Sequence, residues 1–396
     1  MTIEDIPVMI LDPPEGDHAY IKSLRARSPV ARSLIGAYMS FRHADADRIF
    51  DDQASRQIEL EIMALRGVAD GPIFDLMKGA MLTSNGETHR RRRQPVARTF
   101  AFKLMDGMRG AIRDLATELV AAHRNKGPMD FMNDFAGQIP PRMIARILGV
   151  PESDLPRFMQ WIGDTARAFQ LFTLEERPRM EASLTAFNAY VGELLDARRA
   201  DPRDDFLTEY ARATAEDGLD ENEVRTQVIG LILAGSETTR TSMCAILALL
   251  LQHPEQWRAF CADPDGLKKQ VVNEGLRYEP VVGAIPRFLK QDFELGGHTI
   301  PQGSLVAISL LGALRDPEVY ANPDAFDIAR TDHTRWHLVF GAGAHRCLGE
   351  ALARAELEES LAIIARDAPG ATLITAPNIR GLGGIRRIDG MEVALA

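Results

Sequence analysis

The chain has 396 residues, of which 45% are hydrophobic and 26% are charged, as is typical of a soluble globular enzyme. Its 46 lysines and arginines against 56 aspartates and glutamates give a formal net charge of −10, which argues against a general affinity for nucleic acid or anionic membranes. The three cysteines form no CxxC pair, which argues against a disulfide framework or a zinc cluster. Residues 1–14 hold no basic side chain, so we expect no signal peptide and a cytoplasmic location.

The first elements along the chain are short. Residues 37–41 predict a strand, residues 43–51 predict a helix, and the glycine-rich segment 61–87 predicts a long, partly ordered loop. Helical patterns dominate from residue 88 to about residue 370. No linker rich in proline, glycine or serine divides the chain, so the sequence predicts a single domain, 1–396, that is mainly α with small β-sheets.

Two features in the second half have sharp boundaries. Asp220 followed by Glu223 is a capping-box pattern, and the helix that it opens can continue to Gln252, just before His253-Pro254. A helix of this length crosses about 45 Å at 1.5 Å per residue. Residues 293–300 predict a β-hairpin because a Gly-Gly pair separates two short strand patterns.

The segment 340–349, FGAGAHRCLG, is the most informative part of the sequence. Its glycines permit a tight backbone, and the leucine spacing after Cys347 places this cysteine at a helix N-terminus, where a thiolate is favoured. A single thiolate cannot hold zinc or an iron–sulfur cluster, but it can be the axial ligand of haem iron. A buried free cysteine or a nucleophilic cysteine are the alternatives, although no base is identifiable for a nucleophile.

This segment resembles the haem-binding loop of the cytochrome P-450 family, F-G-x-G-x-H-x-C-x-G, at every fixed position. The resemblance implies the P-450 fold with a long helix over haem b. It also implies that Cys347 ligates the iron, that Phe340 packs near the sulfur and that His345 is directed toward a haem propionate. Gly349 closes the same cofactor-binding loop.

Residues 234–239, AGSETT, lie in the middle of the long apolar helix. A glycine, an acid and two threonines are unfavourable in a buried helix centre, which indicates a functional site, with a solvent-facing polar stripe as the alternative. A threonine hydroxyl beside a carboxyl can pass protons to a ligand. The hexapeptide resembles the family motif A-G-x-[D/E]-T-T, which implies that Gly235 makes space over the haem and that Glu237 and Thr238 protonate bound dioxygen.

Glu274 and Arg277 are three residues apart and therefore share a helix face. An exposed pair of this kind is common and weak. The surrounding sequence, however, resembles the family's E-x-x-R helix, and residues 315–330 resemble its later meander. The resemblance implies a buried structural cluster of Glu274, Arg277 and Arg330 behind the haem.

His89 is followed by four arginines, which oppose the helix dipole and one another. An anionic partner should compensate them, and His89 and Arg93 share a face that suits carboxylates. A solvated basic run is the alternative, whereas a nucleic-acid patch is disfavoured because no aromatic residues interleave. The run resembles the family's H-x-R-x-R helix, which implies that His89, Arg93 and Arg287 bind propionates.

The resemblance also implies an electron donor. The chain shows no flavin or nicotinamide domain, so a separate iron–sulfur ferredoxin with its reductase would supply electrons. We expect Arg90 and Arg91 to face outward on the cysteine side and, with Arg346, to attract an acidic ferredoxin.

The implied activity is a haem-thiolate monooxygenase that uses dioxygen to hydroxylate C–H bonds of a hydrophobic small molecule. A peroxide-driven peroxygenase is one alternative, which the acid–alcohol pair argues against. A haem sensor or electron carrier is another, which the space at Gly235 argues against. The residues expected from family topology to line the substrate pocket are Ile73, Phe74, Phe169, Leu171, Phe172, Leu231, Val282, Ile285 and Leu382.

Overall fold

The computed structural model describes residues 3–10, 12–34, 36–100, 107–169 and 172–396. Within these ranges the α-helices are α1 (Asp17–Arg27), α2 (Asp45–Ile49), α3 (Glu61–Leu65), α4 (Gly71–Gly79), α5 (Gly86–Thr99), α6 (Arg109–His123), α7 (Ile139–Leu148), α8 (Leu155–Thr165), α9 (Arg177–Ala200), α10 (Phe206–Glu216), α11 (Glu221–Gln252), α12 (Pro254–Ala262), α13 (Pro264–Tyr278), α14 (Leu310–Ala313) and α15 (Glu350–Asp367).

The β-strands are short and lie mostly near the two ends of the chain. They are β1 (Val8–Met9), β2 (Val30–Ser33), β3 (Tyr38–Ser40), β4 (Ser55–Arg56), β5 (Pro128–Asp130), β6 (Ala284–Leu289), β7 (Phe293–Leu295), β8 (His298–Ile300), β9 (Leu305–Ser309), β10 (Thr372–Thr375), β11 (Asn378–Arg380), β12 (Arg387–Asp389) and β13 (Glu392–Ala394). The main sheet has the order β1-β2-β3-β9-β6-β4, in which β1/β2 and β3/β9 are parallel. The fold is mainly α with small sheets, as predicted.

The long helix α11 is the central element, and its predicted boundaries are confirmed. The Asp220 carboxylate accepts a hydrogen bond from the Glu223 amide at 2.8 Å, and the Glu223 carboxylate accepts one from the Asp220 amide at 3.3 Å. This capping box satisfies amides that would otherwise lack partners at the first turn. The helix ends at Gln252, since Pro254 begins α12. Along its length α11 packs against α4, α7, α9, α13 and α15.

The predicted early strand and helix are confirmed as β3 and α2, and the predicted hairpin as β7 and β8. Gly296 and Gly297 have φ angles of 61° and 82°, which the two central positions of a type I′ turn require. Within the described residues, no helix is long and apolar enough to cross a membrane.

The prediction of a loop at residues 61–87 is wrong, because this segment contains α3, α4, a 3₁₀ turn at Met81–Thr83 and the start of α5. Helices of five to nine residues complete too few turns to show a clear periodicity in the sequence. The glycines form the turns between these helices, since Gly67 and Gly71 have positive φ angles of 69° and 87°. Apolar residues such as Leu76 and Met77 then join the main hydrophobic core.

Candidate active site

A cavity of about 350 Å³ lies between the middle of α11, the helix α5 and the segment that leads into α15. Its wall is mostly apolar. The residues singled out in the sequence that line it are Leu231, Gly235, Thr238, Val282, Ile285, His89, Arg93, Arg287, Phe340, His345, Cys347 and Gly349. The fold therefore brings together side chains that are up to 260 positions apart in the sequence, from His89 to Gly349.

The cysteine segment has a fixed backbone. Gly341 and Gly343 have φ angles of 70° and 66°, and a Cβ on Gly343 would come within 2.7 Å of the Phe50 carbonyl oxygen. The Cys347 amide donates to the Phe340 carbonyl at 2.9 Å, which folds the segment back on itself. Cys347 lies just before α15, as predicted, and its thiol is free and borders the cavity.

Opposing effects act on the pKa of the Cys347 thiol in the haem-free chain. Burial raises the pKa of its thiol above the ordinary value, and the hydrogen bond from the Gly349 amide lowers it less. Desolvation therefore outweighs the helix N-terminus, and the chain by itself favours the neutral thiol. A metal ion that binds the sulfur displaces this proton.

Two histidine rings lie at one edge of the cavity. The rings of His89 and His345 are stacked, with centroids 3.8 Å apart. Burial, and then the neighbouring charge of Arg93, lowers the pKa of His89 to about 4, and burial lowers the pKa of His345 to about 3. Both rings are therefore neutral near pH 7. The Nε2 atom of His89 is buried without a hydrogen-bond partner among the described residues.

Two arginines lie beside these rings. Arg93 donates to the Arg346 carbonyl and Arg287 donates to the Gln57 side chain. Burial lowers the pKa of Arg287 to about 10, which leaves the guanidinium charged at neutral pH. Within the described ranges, neither guanidinium forms an ion pair with a carboxylate. One buried and one half-buried positive charge without a counter-charge indicate that an anionic group belongs here.

Haem fits these residues. Its two propionates supply the two negative charges that Arg93 and Arg287 lack, and an acceptor for the unpartnered nitrogen of His89. Its macrocycle suits the apolar wall, and its iron accepts the sulfur of the single free cysteine that borders the cavity.

The middle of α11 contributes hydroxyl side chains to the cavity wall. The Thr238 hydroxyl lines the cavity and donates to the Ala234 carbonyl at 3.0 Å. Among the described residues, no atom outside its own helix lies within 4 Å of the position that a Cβ on Gly235 would occupy. The helix continues through Gly235, so the missing side chain, rather than a break, provides the space.

Glu237 does not line the cavity in the described part of the chain. Its carboxylate is paired with Arg240 one turn along α11, at 2.5 Å, and its side chain is only 17% exposed. The structure therefore places Glu237 and Thr238, predicted as a pair, on neighbouring faces of the helix with different partners.

The buried cluster implied by the resemblance is present in the structure. Arg277 Nε and Nη2 donate to the two Glu274 carboxylate oxygens at 2.7 and 2.8 Å, and both side chains are fully buried. Arg330 Nε reaches the same carboxylate at 3.1 Å. Arg277 also donates to three backbone carbonyls, so this cluster joins α13 to the segment 314–325.

The arginine run is largely compensated within the protein. Arg90 pairs with Glu87, and Arg91 pairs with Glu223 at 2.5 Å and reaches the Gly218 carbonyl. Arg91, which is expected to face outward, is 35% exposed and is directed toward the first turn of α11. Glu223 also binds Arg92 at 2.9 Å. No signal in the local sequence connects Glu223 with residues more than 130 positions earlier.

Arg346, the third arginine expected on the outer surface, is also ion-paired. It binds Glu350 at 2.6 Å and donates to the Gly341 carbonyl at 2.8 Å.

Four of the nine expected pocket residues do not line the cavity, and two more are not fully described. Ile73 is buried in the main core and Phe74 packs against it, because α4 turns these residues inward, and Leu382 is buried in a smaller hydrophobic cluster. Leu171 and the side chain of Phe169 lie outside the described residues, and the Phe172 ring lies under Arg66 at 5.2 Å. Cavity-lining residues that the sequence did not identify include Phe100, Ile144, Ser242 and Glu356.

The fold, the cavity with one cysteine, and the unpaired cations define a haem protein with a cysteine ligand. A family model described as Cytochrome P450 matches residues 70–260 and 267–366. The chain is 38% identical over 397 residues to the plant-inducible cytochrome P450-pinF1 of Rhizobium radiobacter, covering 99% of this chain and 92% of that protein. It is 36% identical to the mycinamicin IV hydroxylase/epoxidase of Micromonospora griseorubida, covering 76% and 75% of the two chains.

Solved structures are similar to this chain along nearly its whole length. CalO2 superposes with a TM-score of 0.88 at 27% identity and covers 96% of each chain. P450BioI, in complex with an acyl carrier protein ligated to hexadec-9Z-enoic acid, gives 0.85 at 27% identity, covering 96% of this chain and 98% of that one. The chain belongs to the cytochrome P450 family. It is an oxidoreductase of the haem-thiolate monooxygenase class and uses haem as its cofactor.

Proposed function

We propose that this enzyme hydroxylates C–H bonds of a hydrophobic small molecule, with electrons supplied by a separate ferredoxin. The observation that carries this proposal is the apolar cavity that has the Cys347 thiol and the Thr238 hydroxyl in its wall. Relatives that include the mycinamicin IV hydroxylase/epoxidase and a vitamin D(3) 25-hydroxylase support hydroxylation as the reaction.

Different residues of the chain would have different roles around the haem. Cys347 would hold the iron, and His89, Arg93, Arg287 and His345 would hold the propionates. When bound, haem supplies dioxygen activation, which thiolate donation promotes. The apolar wall excludes water from the reacting C–H bond.

Proton delivery is assigned to the middle of α11. The hydroxyl of Thr238 can donate a proton to a group in the cavity and accept a proton from Glu237. Glu237 collects protons from solvent and reaches Thr238 by leaving Arg240, so the 2.5 Å ion pair would be a reversible step in this route.

The electron donor would dock beside the cysteine segment. Trp336 is 64% exposed, and the guanidinium groups of Arg335 and Arg346 lie 5.5 and 5.0 Å from its ring centroid. Arg335 is exposed and forms no ion pair in the described part of the chain. This surface is therefore both aromatic and cationic, as docking of an acidic ferredoxin requires.

One assay separates the proposed activity from its alternatives. Compounds that shift the Soret band from low to high spin identify ligands of the cavity. Turnover of such a compound with a ferredoxin system, and not with hydrogen peroxide, would support the monooxygenase route. Turnover with peroxide alone would identify a peroxygenase, and no turnover by either route would favour a sensor or carrier.

The docking surface has its own test. Trp336→Ala and Arg335→Ala should slow reduction by the ferredoxin several-fold, whereas Arg212→Ala, which removes an exposed arginine in α10, should not. Equal reduction rates in all three variants would place the donor elsewhere.

A further inference from the structure

Gln227 of α11 is a buried amide in the cavity wall. Its side chain is only 1% exposed, and it borders the cavity. The next residues of the helix, Val228 and Ile229, are buried and apolar, as is usual in a hydrophobic core. A buried amide is costly unless its polar atoms are hydrogen-bonded, so the partners of Gln227 indicate what the residue does.

The polar atoms of Gln227 bind backbone groups. Its Oε1 accepts a hydrogen bond from the Met81 amide at 2.7 Å, and its Nε2 donates to the Gly79 carbonyl at 2.9 Å. The same Nε2 donates to the Glu223 carbonyl, one turn earlier in α11, at 3.0 Å. The side chain therefore joins the long helix to the turn that follows α4, which lies 146 to 148 positions earlier in the chain.

This turn forms part of the outer wall of the cavity. Ala80, Met81 and Leu82 border the cavity, and Leu82 is also 41% exposed. The segment 80–82 therefore separates the cavity from solvent. Its backbone approaches α11 closely, because a Cβ on Gly79 would come within 3.1 Å of the Thr226 Cγ2 atom. The distance between this segment and α11 thus sets the width of the cavity at this end.

Arg92 of α5 holds the two ends of the same turn. Its Nη1 donates to the Lys78 carbonyl at 3.0 Å and to the Ser84 hydroxyl at 2.6 Å. Between these two points, the Met81 amide is held by Gln227. Because Arg92 fixes the ends independently, loss of the Gln227 amide should loosen the segment 80–82 without unfolding the turn.

One face of α11 leads from Gln227 to the proposed reaction site. Leu231, Ala234 and Thr238 follow Gln227 at helical spacing, and all of them border the cavity. The 11 positions from Gln227 to Thr238 correspond to about 16 Å along the helix axis at 1.5 Å per residue. An elongated apolar molecule can lie along this face with one end at Thr238 and the other end at the segment 80–82.

We propose that Gln227 is a specificity-determining residue, which holds the segment 80–82 against α11 and so selects elongated apolar substrates by the fit of their far end. This inference rests on the proposed monooxygenase function. Gln227 is a positioning residue, because both hydrogens of its amide nitrogen are used by backbone carbonyls and it acts on the substrate through the wall that it holds.

The contact with Met81 can be tested without turnover. Gln227→Leu removes the amide, and Gln227→Asn shortens the side chain by one methylene group. In the haem-loaded protein, hydrogen exchange of the Met81 amide should become faster on the order of tenfold in both variants, because this amide loses its acceptor. The ferrous–CO spectrum of each variant shows whether haem is still bound through the cysteine.

Two imidazoles that bind haem iron through nitrogen measure the effect on the cavity. 1-Methylimidazole is too short to reach the segment 80–82, whereas the chain of 1-dodecylimidazole can extend along α11. In both variants the dissociation constant of 1-dodecylimidazole should rise about fivefold or more, because a loosened wall must be ordered on binding. That of 1-methylimidazole should change less than about twofold, as titrations of the Soret band would show.

Gln256→Leu is the matched control. Gln256 of α12 accepts from the Ile328 amide at 2.9 Å and donates to the Phe326 carbonyl at 2.7 Å, so it makes the same kind of contact as Gln227. Gln256 is not among the residues that border the cavity. The control should lower the unfolding midpoint as the Gln227 variants do, but it should leave the ratio of the two dissociation constants unchanged.

Unchanged Met81 exchange in both Gln227 variants, or an unchanged ratio of dissociation constants in both, would overturn the proposal. An equal change of this ratio in Gln256→Leu would also overturn it, because the effect would then follow from lost stability alone. If the ratio changes as expected but the wild type gives no ferredoxin-driven turnover of any bound compound, the proposed function fails and the role of Gln227 in binding selectivity stands.

Discussion

Replacement of Glu274 by glutamine tests the buried cluster on the cysteine side of the fold. Glu274 accepts from Arg277 through both oxygens, from Arg330 at 3.1 Å and from the Asp327 amide at 2.8 Å. Glutamine preserves the shape, but its amide nitrogen is a donor at a position where two donors already converge. The variant therefore leaves a fully buried guanidinium without a counter-charge.

Removal of one partner from a buried ion pair typically costs about 3–5 kcal/mol, because the remaining charge stays desolvated. The whole free energy of unfolding of a protein is about 5–15 kcal/mol, so this change is a large fraction of it. In a large chain each kcal/mol lowers the melting temperature by about 2 °C, which predicts a fall of roughly 6–10 °C for Glu274→Gln.

The assay is thermal and urea unfolding of the haem-loaded protein, followed by circular dichroism and by the Soret band. Glu209→Gln is the matched control. It has the same chemistry and the same three-residue spacing to its partner, Arg212, at 2.8 Å, but both side chains are more than half exposed. The control should lose less than about 1 kcal/mol. A loss below 1 kcal/mol in Glu274→Gln as well would refute the reasoning that burial makes this cluster strong.

Three further changes have expected outcomes. Cys347→Ala should abolish the red-shifted Soret band of the ferrous–CO form, and a wild-type spectrum of the imidazole-ligated type would contradict thiolate ligation. Thr238→Ala should retain haem but release peroxide in place of product, so unchanged product per NAD(P)H would exclude proton delivery by this hydroxyl. Although burial opposes ionisation, hydrogen bonds from Arg91 and Arg92 lower the pKa of Glu223 from 4.5 to about 2. These ion pairs of Glu223 therefore stabilise the fold above pH 4.5, and this stabilisation is lost as the pH falls toward 2. Because Arg91 reaches solvent, the free energy of unfolding of the wild type should exceed that of Glu223→Gln by only about 1–2 kcal/mol at pH 6. The two values should converge near pH 2, which urea unfolding at a series of acidic pH values would measure.

The sequence could predict those parts of the site in which a residue type is unusual for its predicted local structure. The AGSETT hexapeptide places polar groups in a buried helix, and the cysteine segment needs glycines at positive φ, so both are visible without a structure. The boundaries of α11 were predictable because a capping box and a proline are local signals.

The sequence could not predict partners that only tertiary packing brings together. Arg91 lies 132 positions before Glu223, and nothing near either residue shows that they pair. Glu356 lies in an ordinary helical pattern, and only the cavity shows that it is buried beside α11 rather than exposed. The prediction that residues of α4 line the pocket was wrong for the same reason, because tertiary packing determines which face of this short helix contacts the core.

The unpaired cations beside the cavity link folding to haem binding. In the chain alone, Arg287 holds a desolvated charge whose side-chain contacts are Gln57 and the Phe50 ring at 4.9 Å, neither of which is anionic. This charge lowers the stability of the haem-free chain and becomes favourable only when an anion binds. Arg287→Gln should therefore weaken haem retention at least tenfold while the haem-free protein unfolds at equal or higher urea concentration. A haem-free variant that is less stable than the wild type would show that Arg287 is retained for packing and not for an anionic cofactor.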